Sequence, residues 1–139
     1  KLLKLEVMLK GKTLCGMNDI VIHNKDSRHA LRYTVKVNGR SIGHEVIGDG
    51  VVAATPFGST AYFKSITDST FELGIGLAFN NSVEQTDHMI IREESVIEVT
   101  ITRGTASVYA DNQAEEMTAG DEDTITIRKS GDFAQVVKV

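Results

Sequence analysis

Residues 48–65, GDGVVAATPFGSTAYFKS, gather the side chains best suited to holding a polar ligand. A Gly-Asp-Gly turn leads into an apolar run, Val51 to Ala54, which predicts a strand. The run breaks at Thr55-Pro56-Phe57-Gly58. Pro56 is the only proline in the chain; it lacks an N–H and biases Thr55 toward extended geometry. Gly58 allows a close approach of a ligand. Ser59 or Thr60 then caps a short helix running through Ala61, Tyr62 and Phe63. Such a corner presents free N–H groups and hydroxyls at one point, which suits a nucleotide or another polar ligand. The same residues also make an ordinary strand–loop–helix corner, and local chemistry alone favours the corner.

A second polar pair is Asn18-Asp19, at the entrance of the β-branched run Ile20-Val21-Ile22-His23. Short polar side chains there are usually turn formers; they are also good hydrogen-bonding groups. The four histidines at 23, 29, 44 and 88 are scattered, and no zinc spacing is present. The acidic turn at 119–123 lacks the rest of a calcium loop. The single Cys15 excludes an internal disulfide framework and reads as a small buried hydrophobe in a reducing, cytoplasmic setting.

The elements that must position these groups are strands. Residues 2–9 alternate with period two, as do 28–37. Asn38-Gly39 is a hairpin signal because a type I′ turn needs two residues at positive φ, with a return strand at 40–46. Phe71 to Phe79 reads as a buried strand, followed by a turn at Asn80-Asn81. Further strands are expected at 88–92, 96–103, 106–110, 124–128 and 135–139. Arg103-Gly104-Thr105 and Asp111-Asn112-Gln113 are read as hairpin turns. Only residues 59–66 suggest a helix. The expectation is an all-β fold of stacked, multi-stranded antiparallel sheets in one domain, 1–139.

A net charge of −4, a pI near 5.5 and no basic patch argue against a nucleic-acid partner. No apolar run approaches the length of a membrane span, and residues 1–10 do not read as a signal peptide. Lys1 opens directly into a strand, which reads as a piece of a longer protein.

TPFGSTAY preceded by GDGVVAA resembles the NAD kinase segment written DG-(apolar)-(S/A)TP-x-GSTAYS. Upstream, Gly16 to His23 resembles the LNE-(apolar) motif of that family. Downstream, Tyr109-Ala110-Asp111-Asn112-Gln113 resembles its strand ending in DGQ. The three lie in the family order, and the resemblance is strongest over 14–65. Departures are Asp19 where glutamate is usual, Asn112 where glycine is usual, and 63–69 in place of a diglycine stretch. Aspartate is one methylene shorter, which changes its reach to a ribose or calls for a bridging water.

The resemblance implies an NAD kinase, transferring phosphate from ATP or polyphosphate, with a divalent metal such as Mg, to the 2′-hydroxyl of the NAD adenosine ribose to give NADP. It implies that Asn18 and Asp19 hold that ribose. Thr60, Ala61, Tyr62 and Ser65 would contact the dinucleotide, and Asn112 would supply a further contact. Asp49 would reach the nicotinamide carboxamide across a subunit interface, with Ala78 near the same end of a neighbour's ligand. A homodimer or homotetramer follows. The catalytic aspartate and most of the donor site would belong to an N-terminal α/β domain, which these residues lack, so this stretch alone would be inactive and hold no metal. Two rivals stay open: a lipid or diacylglycerol kinase-type domain, and a non-catalytic NAD(P)-binding oligomerisation domain.

Overall fold

Period-two alternation predicts strands with one face inward, and that is how the chain folds. The computed structural model describes residues 2–84 and 86–131. The strand expected at 135–139 lies outside the described residues. Two antiparallel sheets carry nearly all the structure.

The first sheet contains β1 (Leu5–Leu9), β2 (Lys12–Gly16), β4 (Leu31–Val37), β5 (Arg40–Ser41), β6 (Val46–Gly48), β10 (Ile97–Arg103) and β13 (Thr124–Lys129). Its order is β2-β1-β13-β10-β4-β5, with β6 also paired to β4. The second contains β3 (Asp19–Asn24), β7 (Gly50–Ala54), β8 (Ile75–Asn80), β9 (Met89–Ile91), β11 (Ala106–Ala110) and β12 (Glu116–Ala119). Its order is β12-β11-β3-β7-β8-β9.

The main core fills the space between the sheets. Leu5, Val7, Leu31, Tyr33, Val35, Ile97 and Val99 face Ile20, Ile22, Val51, Leu77 and Val108 there. Tyr33 is the one core side chain with a hydroxyl, which donates to the Gly50 carbonyl at 3.0 Å; burial raises its pKa. A second, smaller cluster lies on the outer face of the second sheet, where Phe63 packs on Val21, Val52, Ala54 and Ala78. That cover comes from a 3₁₀ turn, Phe57–Thr60, and a short helix α1, Tyr62–Thr67.

Asn38 and Gly39 have φ of 53° and 80°, as a type I′ turn requires. The return strand is shorter than expected. β5 ends at Ser41 and pairing with β4 resumes only at β6, because Gly43 at φ 60° turns the chain out of the ladder. The strand expected at 71–79 begins at Ile75, and Leu73 stands in solvent. Arg103-Gly104-Thr105 is not a hairpin. β10 pairs with β4 and β13, and β11 with β3 and β12, so this turn carries the chain between sheets. β12 has no counterpart in the sequence reading; its run Glu116–Ala119 alternates over only four residues.

Candidate functional site

The outer face of the second sheet is where the polar residues singled out from the sequence collect. Along β3 the side chains of Asp19, Val21 and His23 share that face. Register extends Val21 sideways into the row Tyr109–Val21–Val52–Ala78. α1 covers the middle of this face and leaves a polar opening at each end.

At the first end, three stretches distant in sequence meet. Thr55 donates its backbone N–H to the Asn18 carbonyl at 2.9 Å. Its hydroxyl donates to the Met17 carbonyl at 2.6 Å and accepts the Gly58 N–H at 3.0 Å. A Cβ on Gly58 would overlap the Asn18 backbone carbonyl. The close approach that needs glycine is therefore made by the chain itself rather than by a ligand, and it locks the 55–58 corner onto Asn18. The third stretch is the β11–β12 hairpin. The Asp111 carboxylate accepts the N–H groups of Met17, Asn18 and Asp19 at 2.5, 2.6 and 3.0 Å. Asp111 and Asn112 both have positive φ, 52° and 63°, in the left-handed region Asn and Asp tolerate best after glycine.

Asp19 is buried. Its carboxyl is pushed up to about 6, first by burial and then by the Asp111 charge, against a backbone hydrogen bond from Asp111. Asn18, Asp19, Val21, Ala61, Tyr62, Tyr109, Asp111 and Asn112 line a cavity of about 320 Å³ at this end.

At the other end, Asp49 stands where the chain passes from β6 in the first sheet to β7 in the second. Its carboxylate accepts from Asn24 Nδ2 at 3.1 Å and Asn81 Nδ2 at 3.0 Å. With Tyr62, Ser65, Asn80, His88 and neighbours it lines a cavity of about 800 Å³. Tyr62 lines both cavities, and its hydroxyl accepts from Asn80 Nδ2 at 3.0 Å. Its pKa is raised by burial first, then by Tyr109, Asp49 and Asp19, so one phenol feels both ends. Burial, then Asp19 and Glu116, raise that of Tyr109.

The fold thus gathers Asn18, Asp19, Ala61, Tyr62 and Asn112 at one opening, and Asp49, Tyr62 and Ser65 at the other. Thr60 is solvent-exposed and lines neither cavity. Ala78 is fully buried in the floor under α1. Neither Ser59 nor Thr60 caps the helix: α1 follows Ala61 with no side-chain cap. The Ser59 hydroxyl donates instead to the Pro56 carbonyl at 2.8 Å and accepts the Phe71 N–H at 3.3 Å. Sequence reasoning missed Asp111, Tyr109, Asn24, Asn80 and Asn81. A signal existed for the first two, since Tyr109 and Asp111 stand in the third motif. Nothing local marks the asparagines, whose partners are brought by the fold. Among the described residues no group of three or more His, Cys, Asp or Glu side chains converges to hold a metal, and no helix is long and apolar enough to cross a membrane.

Two stacked antiparallel sheets carry a polar opening at each end of one partly covered outer face. The sequence matches the family model of the ATP-NAD kinase C-terminal domain over residues 17–139, and the chain belongs to that family. It is 28% identical to the NAD kinase of Methanocorpusculum labreanum over 99% of the chain and 52% of that protein. It is 38% identical to the NAD kinase of Acinetobacter baylyi over 46% of the chain and 22% of that protein. Yeast NADH kinase, solved in complex with NADH, superposes with a TM-score of 0.85 at 21% identity, over 97% of this chain and 42% of that one. An NAD kinase from Archaeoglobus fulgidus in complex with ATP gives 0.75 at 21% identity, over 94% and 51%. These likenesses carry the fold. The chain spans about half the length, or less, of the relatives it matches.

Proposed function

We propose that this domain is the NAD-recognition part of an NAD kinase, which phosphorylates the 2′-hydroxyl of the NAD adenosine ribose to form NADP. The observation that carries this reading is the gathering of motif residues along one cleft, with Tyr62 between its two ends. Asp19 opens β3 and Asn24, which holds Asp49, closes it, so the two ends lie one strand length, roughly 17 Å, apart, the scale of an extended dinucleotide. Asn18 and Asp19 hold the adenosine ribose, because a carboxylate is a strong acceptor for hydroxyl donors. At the wider end Asp49 takes the carboxamide N–H₂ of a ligand that spans a subunit interface. Tyr62 offers its ring face between them. Ala61 leaves room, Asn112 and Ser65 add polar contacts at the rims, and Thr60 contributes at most from outside. Ala78 acts from the floor, its small side chain letting α1 sit close.

Phosphoryl transfer rests on positioning, charge neutralisation and a group that accepts the hydroxyl proton. The donor, ATP or polyphosphate, and its divalent metal belong in this reading to other parts of the full-length protein. In the same reading the catalytic aspartate also lies outside this stretch, so phosphate transfer is assigned to the full-length protein. Assembly as a homodimer or homotetramer and a cytoplasmic location belong to the same reading.

The test is calorimetric titration of the full-length protein with NAD. Asn18→Ala and Asp49→Ala should each weaken binding about tenfold or more, the weight of a hydrogen bond to a charged group. Unchanged affinity in both variants overturns the assignment of this cleft.

A further inference from the structure

We infer that Asp111 is a positioning residue for dinucleotide binding: its carboxylate fixes the backbone of residues 17–19, and through it the Asn18 and Asp19 side chains. This rests on the reading of the cleft given above.

Asp111 comes from a different hairpin, more than ninety positions away in sequence. One oxygen accepts the N–H groups of Asn18 and Asp19 and the other that of Met17, at 2.5 to 3.0 Å. Three consecutive N–H groups on one carboxylate leave the backbone of the ligand-facing pair little freedom. Residues 17–18 lie between β2 and β3, where the chain passes from one sheet to the other and the ladder satisfies no N–H of Asn18. Without an acceptor these donors would have no partner inside a partly buried corner, a costly arrangement.

The clamp closes from both sides. The Asp111 N–H donates to the Asp19 carbonyl at 3.1 Å, and Gln113 Nε2 donates to the Cys15 carbonyl at 3.3 Å. Gly16 fits the same corner: a Cβ there would lie 2.8 Å from the Asp19 carbonyl oxygen and 3.0 Å from Asp111 Oδ1. A neutral donor–acceptor pair would do less well. Asparagine can offer one acceptor oxygen, but its amide would present N–H₂ to the Met17 N–H or to the other two donors.

The arrangement carries a charge consequence that a purely structural contact would not. Asp111 lies close enough to Asp19 to disfavour its ionised form. The other groups facing Asp19 are the phenols of Tyr62 and Tyr109, with Glu116 behind Tyr109; β7 and the corner after it bring the uncharged Ala54 and Thr55 to this end. Ionised Asp19 accepts stronger hydrogen bonds from ribose hydroxyls than the protonated acid does, so NAD affinity should weaken on acidification through the range in which Asp19 takes up its proton.

The experiment compares Asp111→Asn, Asp111→Glu and Asn18→Ala in the full-length protein. Three readouts are taken: KM for NAD against kcat, the pH profile of NAD affinity, and hydrogen exchange over residues 17–19. In Asp111→Asn, KM should rise about tenfold, by more than kcat falls. Exchange at residues 17–19 should accelerate, and the acid limb of the affinity profile should move to lower pH. Asp111→Glu keeps the charge but misplaces the acceptors. It should raise KM without moving the acid limb downward, and it serves as the second variant if Asp111→Asn does not fold. If Asn18→Ala loses NAD while both Asp111 variants keep KM within about twofold and residues 17–19 stay protected, Asp111 is not a positioning residue. If Asn18→Ala also keeps its affinity, the cleft itself is wrongly assigned and the inference falls with it.

Discussion

The two sheets are built from the same antiparallel pairing, yet their outer faces differ. In the first sheet β1, β4 and β10 alternate buried and partly exposed residues. Glu6, Arg32, Thr34, Lys36, Glu98 and Thr100 look outward. In the second sheet β7 is buried at every position and β8 at all but its last. The cause is the 56–74 segment, which lays Phe63 over Val52, Ala54 and Ala78. A sheet face open to water needs polar residues; a covered one does not, and the alternation disappears. The cover is also too small for the face it sits on. Where it stops, at Asp19 on one side and Asp49 on the other, buried backbone meets polar side chains and a cleft forms. The polar openings sit at the margins of a partial lid, and the face with no lid has no such margin.

Substitutions at matched positions can break this contrast. Phe63→Ala should be the most damaging, costing about 3–5 kcal/mol as a buried ring is lost from the cover; denaturant unfolding measures it, and a loss below 1 kcal/mol would mean the lid contributes little. Next comes the acid-range stability of Asp19. Its folded pKa near 6 lies above the ordinary value of 3.8, so the folded chain binds the proton more tightly than the unfolded chain. Stability should therefore fall as pH rises from about 4 to about 6, by up to about 3 kcal/mol. Asp19→Asn should flatten that slope, and an unchanged slope would assign it to other groups.

Gly58→Ala should cost about 1–3 kcal/mol, since its Cβ meets the Asn18 backbone rather than a movable side chain. NAD affinity should drop with it; a stable variant with intact affinity would show the corner yields more easily than its geometry implies. The smallest effect should come from the uncovered sheet. Lys36→Ala, on the outer face of β4, should change stability by less than about 0.5 kcal/mol, and a larger value would reveal a partner on that face.

Much of this was legible in the residues. Leu5, Val7 and Leu9, or Leu31, Tyr33 and Val35, show their inward face by alternation alone. Asn38-Gly39 announces its turn because few other pairs accept two positive φ values. The three motifs named the family and placed Asn18, Asp19, Asp49 and Tyr62 among its candidates. Elsewhere local signals misled. Arg103-Gly104-Thr105 has the composition of a hairpin turn, but composition does not say which sheet the next strand joins. Ser59 has the chemistry of a helix cap, yet its hydroxyl is taken by Pro56 and Phe71. Gly58 reads as room for a ligand, and its neighbour is Asn18.

What the sequence determined by itself is the set of local periods and turns, since these follow from side-chain size, polarity and permitted φ within a few residues. What only the tertiary structure decided is partnership: that Asp111 would hold residues 17–19, that Asn24 and Asn81 would hold Asp49, and that Tyr62 would stand between two openings. Those pairings join residues up to 94 positions apart. They exist because six strands in the order β12-β11-β3-β7-β8-β9 bring their ends together, a consequence of long-range packing that no short window of sequence contains.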